Sequence, residues 1–385
     1  MNIRFAKKNE KDNIRELWGY CFNDGPKFTD YYFEDKYDKD NTVVVEDEGE
    51  IVSSLQLNQY NLQLNNKLYD ASYVVGVSTF PEARGKGYMK HLMDFTLNEL
   101  YRKNQLVSIL MPIDYRLYRK YGYEHCYDQL EYDLDIEDLR IFKTSGSMKK
   151  ANENHIDKMI HIQEEFLNDV NGNIERKKVY YKSVFKEVNS ENGNIYLHEG
   201  KKYDGYIIYF INGENMFVKE LYYTNMDSLK SMLKFIYNHN TQCKKVTISA
   251  PVNDKIRFIL ANPKTSTIKI KPFMMGRIIN FEKYVESLDI ESNMEFDINI
   301  LLNDDFIKEN NHIFKLKLKD NKISVERGGF VPHVEFDINT ISQLAFSYID
   351  AKEAFLLNDL NEDKDVIKFL DLIFNKKDNY INEYI

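Results

Sequence analysis

The chain has 385 residues, 43% of them apolar, and its 61 acidic against 52 basic side chains give a net charge of −9. That length exceeds one ordinary domain and suits two or three, each with its own core. The acidic balance argues against nucleic acid and anionic membrane as partners and is compatible with a cationic one. Cys21, Cys126 and Cys243 lie far apart with no CxxC pair, which points to a reducing, cytoplasmic compartment and no cysteine-built metal site. The histidines include no HExxH or other ligand spacing, so no metal is expected. The start, "MNIRFAKKNEKDN", lacks an apolar signal core, and no apolar run approaches the ~20 residues of a bilayer span.

In chain order, "NIRFAK" reads as a short strand and "EKDNIRELWGYCF" as a helix, with Ile14, Leu17, Trp18 and Cys21 at helical spacing. "FTDYYFEDKY" reads as a second short helix. The run from Thr42 to Phe80 is strand-like, with hairpin turns at "EGE" (48–50) and "NNK" (65–67). A helix follows, with Met89, Leu92, Met93, Thr96, Leu97 and Leu100 on one stripe. "LVSILMP" reads as a buried central strand, "IDYRLYRKYGY" as a short helix closed by Gly122, and "DQLEYDLDI" as a last strand.

Residues 139–150 read as a transition, and a second unit then repeats the order. It has a helix in "HIDKMIHIQEEFL", strands in "NIYLHE", "GYIIYFI" and "MFVKELYY", a helix in "MDSLKSMLKFIYN" and a strand ending at Pro251. A third unit starts near residue 290. It has strands in "MEFDINILL", "HIFKLKLKD" and "KISVERG" and helices in "NTISQLAFSYI" and "DKDVIKFLDLIF".

The stretch that carries chemistry is "VVGVSTFPEARGKGYMKHLMDF". A strand, a glycine loop and a helix start can aim successive backbone N–H groups at one point, where the helix dipole also favours an anion. Gly85 and Gly87, flanked by Arg84 and Lys86, make this loop a candidate pyrophosphate cradle. It is neither a Walker A loop nor GxGxxG in a first βαβ unit. The acidic run 30–50 holds nine acidic and two basic side chains. It reads as a solvated face or as one wall of a polycation pocket.

With three antiparallel strands before the loop and "LYRKYGY" after it, the first unit resembles the GCN5-related N-acetyltransferase (GNAT) superfamily. Arg84, Gly87 and Met89 stand at the fixed positions of its Q/R-x-x-G-x-G/A loop, Met89 replacing the usual small residue. The whole chain is similar to the Eis (enhanced intracellular survival) family within it. The loop "VSTFPEARGKGYMKHLM", the "LYRKYGY" segment (like YxxFGY) and the three-unit layout carry this resemblance. It implies an α+β chain of tandem GNAT (acyl-CoA N-acyltransferase) folds and a sterol carrier protein-like domain. The expected bounds are 1–140 (catalytic), 141–288 (degenerate) and 289–385.

The resemblance also implies an acetyl-CoA-dependent N-acetyltransferase acting on a primary amine of a polycationic, aminoglycoside-like molecule, in a homo-oligomer (a hexamer). Its alternatives are a peptide or protein lysine acetyltransferase and a non-catalytic CoA-binding scaffold. By match, Val77, Ser78 and Thr79 hold the pantetheine arm and thioester. The amides of Gly85, Lys86, Gly87, Tyr88, Met89 and Lys90 hold the pyrophosphate, and Ile113 and Asp114 make a further cofactor contact. Tyr118 matches the general acid; a phenol with a pKa near ~10 is protonated at neutral pH. The family's base is the chain's own C-terminal carboxylate, here that of Ile385, with Glu383 as a nearby alternative. Phe22 and Asp24 match substrate contacts; Asp24 otherwise reads as a cap or turn residue. The second unit has "LYYTNMDSLKS" in place of the loop, without glycine, and is expected to bind no CoA.

Overall fold

The computed structural model describes residues 1–384. The first unit comprises β1 (Asn2–Phe5), α1 (Lys11–Cys21), α2 (Pro26–Tyr31), β2 (Thr42–Asp47), β3 (Glu50–Leu64), β4 (Lys67–Thr79), α3 (Tyr88–Arg102), β5 (Val107–Leu110), α4 (Tyr115–Arg119) and β6 (Glu124–Asp135). The second comprises β7 (Ser147–Lys150), α5 (Ile156–Phe166), β8 (Asn173–Ile174), α6 (Lys178–Ser190), β9 (Asn194–Glu199), β10 (Tyr203–Asn212), β11 (Asn215–Tyr223), α7 (Met226–Tyr237), β12 (Lys245–Ala250), α8 (Ile256–Ile259) and β13 (Thr267–Ile278). The third comprises α9 (Phe281–Glu286), β14 (Phe296–Asn303), β15 (Ile313–Lys319), β16 (Lys322–Arg327), β17 (Val334–Asp337), α10 (Ile338–Ala345), α11 (Ala351–Leu357) and α12 (Lys364–Ile373).

The expected hairpins form for backbone reasons. Glu48 and Gly49 take φ of 52° and 88°, and Asn65 and Asn66 take 52° and 63°. These are left-handed values that Gly and Asn tolerate best, and two-residue turns of this hand match strand twist.

The first two units share one sheet, ordered β1-β2-β3-β4-β5-β13-β6-β12-β11-β10-β9-β7, with β8 on the far edge of β3. Each unit's last strand crosses into the other. β13 lies antiparallel between β5 and β6, with Met275 opposite Leu110 and Ile270 opposite Leu130. β6 lies antiparallel on β12, with Tyr132 opposite Ile248. Unit one therefore completes its sheet with a strand from unit two, and the reverse. Neither half buries its central strand on both sides alone.

The third unit is a four-stranded sheet, β16-β15-β14-β17, covered by α10 to α12. It is tied to the shared sheet through a fully buried ion pair, Arg277 on β13 to Asp304 at 2.9 Å. Ser342 on α10 accepts the Ile278 amide at 3.0 Å.

Candidate active site

Strands β4 and β5 run parallel, but their pairing stops early. Ala71 to Val74 face Val107 to Leu110, and β5 then ends. Beyond Val74, β4 continues to Thr79 with β3 on one side only. A bulge sits at this point. Ser54 pairs Ser78 and Gln56 pairs Val75, so Gly76 and Val77 together oppose Leu55. Bulges sharpen local twist and bend the strand away from its neighbour.

Gly76 makes the bulge possible. Its φ is 58°, and a Cβ there would lie 2.1 Å from both the Trp18 ring and Gln56 Oε1. Gly76→Ala should therefore cost at least about 3 kcal/mol, from strain and overlap together. Chemical denaturation should show it as a lower midpoint, and an unchanged midpoint would contradict this account of the bulge. Of the predicted pantetheine contacts, Val77 packs at the rim of an apolar cluster. The Ser78 carbonyl accepts from Ser53 Oγ at 2.6 Å, and the Thr79 carbonyl accepts from Arg84 Nε at 3.2 Å.

After a turn at Pro81–Ala83, Gly85 and Gly87 take φ of 81° and 82°. Gly87 is the N-cap of α3 and offers no side chain to its amides. The first bonds of the helix run to the Gly87 carbonyl from Lys90 at 3.0 Å and His91 at 3.3 Å. The amides of Gly85 to Met89 have no acceptor among the described residues. Arg84, Lys86 and Lys90 are exposed around them. The glycines are required by left-handed backbone, and nothing lies within 4 Å of where either Cβ would stand. Unbonded amides at a helix start, ringed by cations, suit a pyrophosphate. Tyr88 turns inward and donates to Asp47. Met89 is half-buried against the same core, which accounts for its size.

α4 is capped by Asp114, whose Oδ1 accepts the Arg116 amide at 2.9 Å. That carboxylate also pairs the Arg116 guanidinium, while the neighbouring Ile113 side chain is 82% exposed. Tyr118 is buried in the cluster that contains Val74, Leu110 and Tyr88, with Val77 and Met89 packed against it. Thus strand end, loop, helix start and phenol meet in one cluster. Burial, then Tyr123 and Tyr121, pushes the Tyr118 hydroxyl up to about 12. It has no hydrogen-bond partner among the described residues. Its sequence neighbours are committed elsewhere. Tyr123 bonds Ser108 at 2.7 Å, and Tyr121 packs edge-on against Phe306.

On the other side of β4, the C-terminal end of α1 covers the bulge. Trp18 stacks on Tyr32 at 4.4 Å and tilts against Phe22 at 4.9 Å. Asp24 does not cap α2, whose N-cap is Gly25, and has no ion pair among the described residues; its carboxylate accepts Trp18 Nε1 at 2.9 Å. Partial burial and nearby Glu187 push the Glu191 carboxyl up, with Asp24 contributing. Five of the nine acidic side chains in the run 30–50 are ion-paired, Asp40 with its neighbour Lys39. Arg15 pairs Asp30, Lys186 pairs Asp35, Arg4 pairs Glu46, and the N-terminus pairs Asp47. This favours the solvated-face reading over a single acidic wall.

The last residues leave α12 and thread between the units. Tyr380 to Glu383 are buried, and Tyr73 on β4 donates to the Glu383 carbonyl at 3.1 Å. Burial works to raise the Glu383 carboxyl, but Arg176 and the Tyr180 hydroxyl outweigh it and hold it below the usual carboxylate range. A carboxylate so engaged is a poor proton acceptor. Ile385 lies outside the described residues. A cavity of about 20 Å³ between α2, α6 and the tail is lined by Tyr31, Lys36, Tyr180, Glu187 and Glu383. It has room for about one water. Lys36 and Tyr60 also line adjoining clefts of about 410 and 200 Å³.

In the second unit, the helix matching α3 is α7. Its N-cap is Asn225, whose side chain accepts the Ser228 amide at 2.9 Å. The Thr224 amide bonds the Asp204 carbonyl at 3.0 Å. A side chain thus takes one amide at this helix start, where α3 has a glycine and no side-chain cap. Gly76 and Arg176 belong to no motif of the sequence, although a glycine inside an apolar strand is a bulge signal.

Among the described residues, no helix is long and apolar enough to cross a membrane, and no group of His, Cys, Asp and Glu is arranged to hold a metal. Residues 2–126 match the family described as Acetyltransferase (GNAT) domain, residues 172–278 match a second family of that description, and residues 281–382 match Sterol carrier protein domain. No curated protein matches the chain. Among solved structures, a conserved protein of unknown function from Enterococcus faecalis, titled a probable N-acyltransferase, is 20% identical with a TM-score of 0.89. That match covers 100% of this chain and 99% of the other. A GCN5-related N-acetyltransferase from Anabaena variabilis is 21% identical, with a TM-score of 0.87 and full coverage of both chains (100% and 100%). Eis1 from Mycobacterium abscessus is 13% identical, with a TM-score of 0.76 and 100% coverage of each chain. The tandem GNAT folds and the sterol carrier protein domain are thus shown, and the chain is an acyltransferase of the GNAT type.

Proposed function

We propose, for this chain of two GNAT domains and a sterol carrier protein domain, that the first domain moves an acetyl group from acetyl-CoA to a primary amine of a cationic small molecule. The observation that carries the reading is the set of unbonded amides from Gly85 to Met89, beside the unpaired edge of β4 and the buried Tyr118. The amides take the pyrophosphate, and β4 beyond Val74 takes the pantetheine arm. Ile113 and Asp114 are further contacts by family match.

In the transfer, the amine nitrogen bonds the acyl carbon, the carbon–sulfur bond breaks, the departing sulfur takes the Tyr118 proton, and the proton shed by the new amide nitrogen returns through water to the Tyr118 phenolate. The incoming ammonium must first lose a proton. The Ile385 carboxylate is the base by the Eis resemblance, and it acts through water on an amine whose pKa the pocket lowers. The path of Tyr380 to Tyr384 beside β4 supports that assignment. The cationic acceptor is taken from the Eis resemblance and from the chain's net charge of −9. The second domain binds no acyl donor, because "LYYTNMDSLKS" before and into α7 has no glycine loop to cradle a pyrophosphate. On the same resemblance the chain works as a hexamer, and its scattered cysteines favour the reducing cytoplasm.

The test is CoA release from acetyl-CoA across a panel of polyamines, aminoglycosides and lysine peptides. Turnover on the small cations is expected. Turnover confined to peptides would move the acceptor class. CoA binding without release on any amine would make the protein a binding module.

A further inference from the structure

We infer that the second domain holds the chain's C-terminal segment in the active site, with Arg176 as the positioning residue. The inference rests on the reading above that the terminal carboxylate is the base.

The geometry starts from the repeat. β11 carries the same bulge as β4. Ile208 pairs Glu220 and Tyr209 pairs Val218, so Lys219 is the extra residue. β11 is parallel to β12 only from Asn215 to Val218, so it too splays from its neighbour beyond that point. In the first domain the matching backbone is free for an acyl donor. Here the chain's own tail fills the place. Asn382 Nδ2 donates to the Lys219 carbonyl at 2.8 Å. Gln129 on β6 donates to the Ile381 carbonyl and to Asn382 Oδ1, both at 3.0 Å, and accepts from Tyr384 at 2.7 Å.

Arg176 closes the arrangement. Its guanidinium meets Glu383 Oε1 through Nη2 at 2.9 Å and Nε at 3.2 Å, and reaches Glu220 through Nη1 at 2.8 Å. All three side chains are buried. Tyr180 donates to the other Glu383 oxygen. The Glu383 carbonyl accepts from Tyr73 in the first domain. One residue, two positions before the terminus, is thus gripped by its side chain from one domain and by its backbone from the other.

Removing one member of a buried ion pair leaves the other charge unpaired. The tail beyond α12 belongs to no helix or strand. Its cheapest relief is to leave the site with Glu383 and solvate that charge, as termini do when nothing ties them down. Arg176 then acts on turnover through the tail and touches no reacting atom.

The test uses the full chain as Arg176→Met, Arg176→Lys and the charge-balanced double variant Arg176→Met/Glu220→Gln. Hydrogen exchange of the last residues is measured alongside kcat, CoA affinity and melting. In Arg176→Met, tail protection and kcat should each fall by about tenfold or more, with the CoA Kd within roughly threefold. Arg176→Lys should restore part of both. If the single variant does not fold, the double variant, which neutralises Glu220 and leaves only the Glu383 charge to be relieved by release of the tail, carries the same expectation. A tail that stays protected overturns the inference, and so does a freed tail with unchanged kcat. A chain with one residue added after Ile385 separates the two claims. Full activity there defeats the terminal-carboxylate base while the exchange data still report whether Arg176 holds the tail.

Discussion

Tyr118→Phe should lower kcat by about 10²-fold or more while leaving CoA affinity nearly intact. The substitution removes one oxygen from a ring that packs in the cluster under the loop, so the fold is spared. It removes the one phenol of Tyr118, Tyr121 and Tyr123 that is neither bonded nor stacked. The pH dependence has a defined sign. Burial raises this hydroxyl to about 12, so the required protonated form persists through the neutral and mildly alkaline range. Loss of activity from this group therefore belongs above about pH 10, the ordinary phenol value. A profile that falls between neutrality and that value through a group absent in Tyr118→Phe would contradict the assignment. Unchanged turnover in Tyr118→Phe would remove the acid role altogether.

One residue added after Ile385 should cut kcat by about 10²-fold or more, because a general base is lost. The added peptide bond turns the carboxylate into an amide and moves the new terminus by about 3.5 Å. Tyr380 to Glu383 are buried and bonded to both domains, so the segment cannot slide to compensate. Circular dichroism and CoA affinity should be unchanged, which separates a chemical loss from a folding one. Glu383 does not substitute, since Arg176 and Tyr180 hold both of its oxygens.

The local chemistry of the site was legible because it is written in consecutive residues. Gly85 and Gly87 are where left-handed backbone is needed, and Tyr118 lies on the expected short helix. The long-range chemistry was not. Arg176 lies 207 positions from Glu383 in sequence, and nothing near it marks a buried cation. β13 escaped notice because Pro272 interrupts its apolar run. The structure puts that proline at a register shift, where a missing amide costs no ladder bond. The crossing of β6 and β13 between units follows from partner choice, which alternation of side chains does not encode.

Elsewhere the signal was present and unread. α6 carries Tyr181, Val184, Phe185 and Val188 at helical spacing and buries all of them. The expected helix "NTISQLAFSYI" breaks where Ser347 takes a φ of 59°. Asp350 and Glu353 then form the capping box of α11.

Calorimetric titration of CoA into the whole chain tests the central claim most directly. One site per chain is predicted, lost in Gly87→Val. That change strains a φ of 82° and sets a branched side chain beside the free amides. Two sites per chain, or one site that Gly87→Val leaves unchanged, would contradict the account.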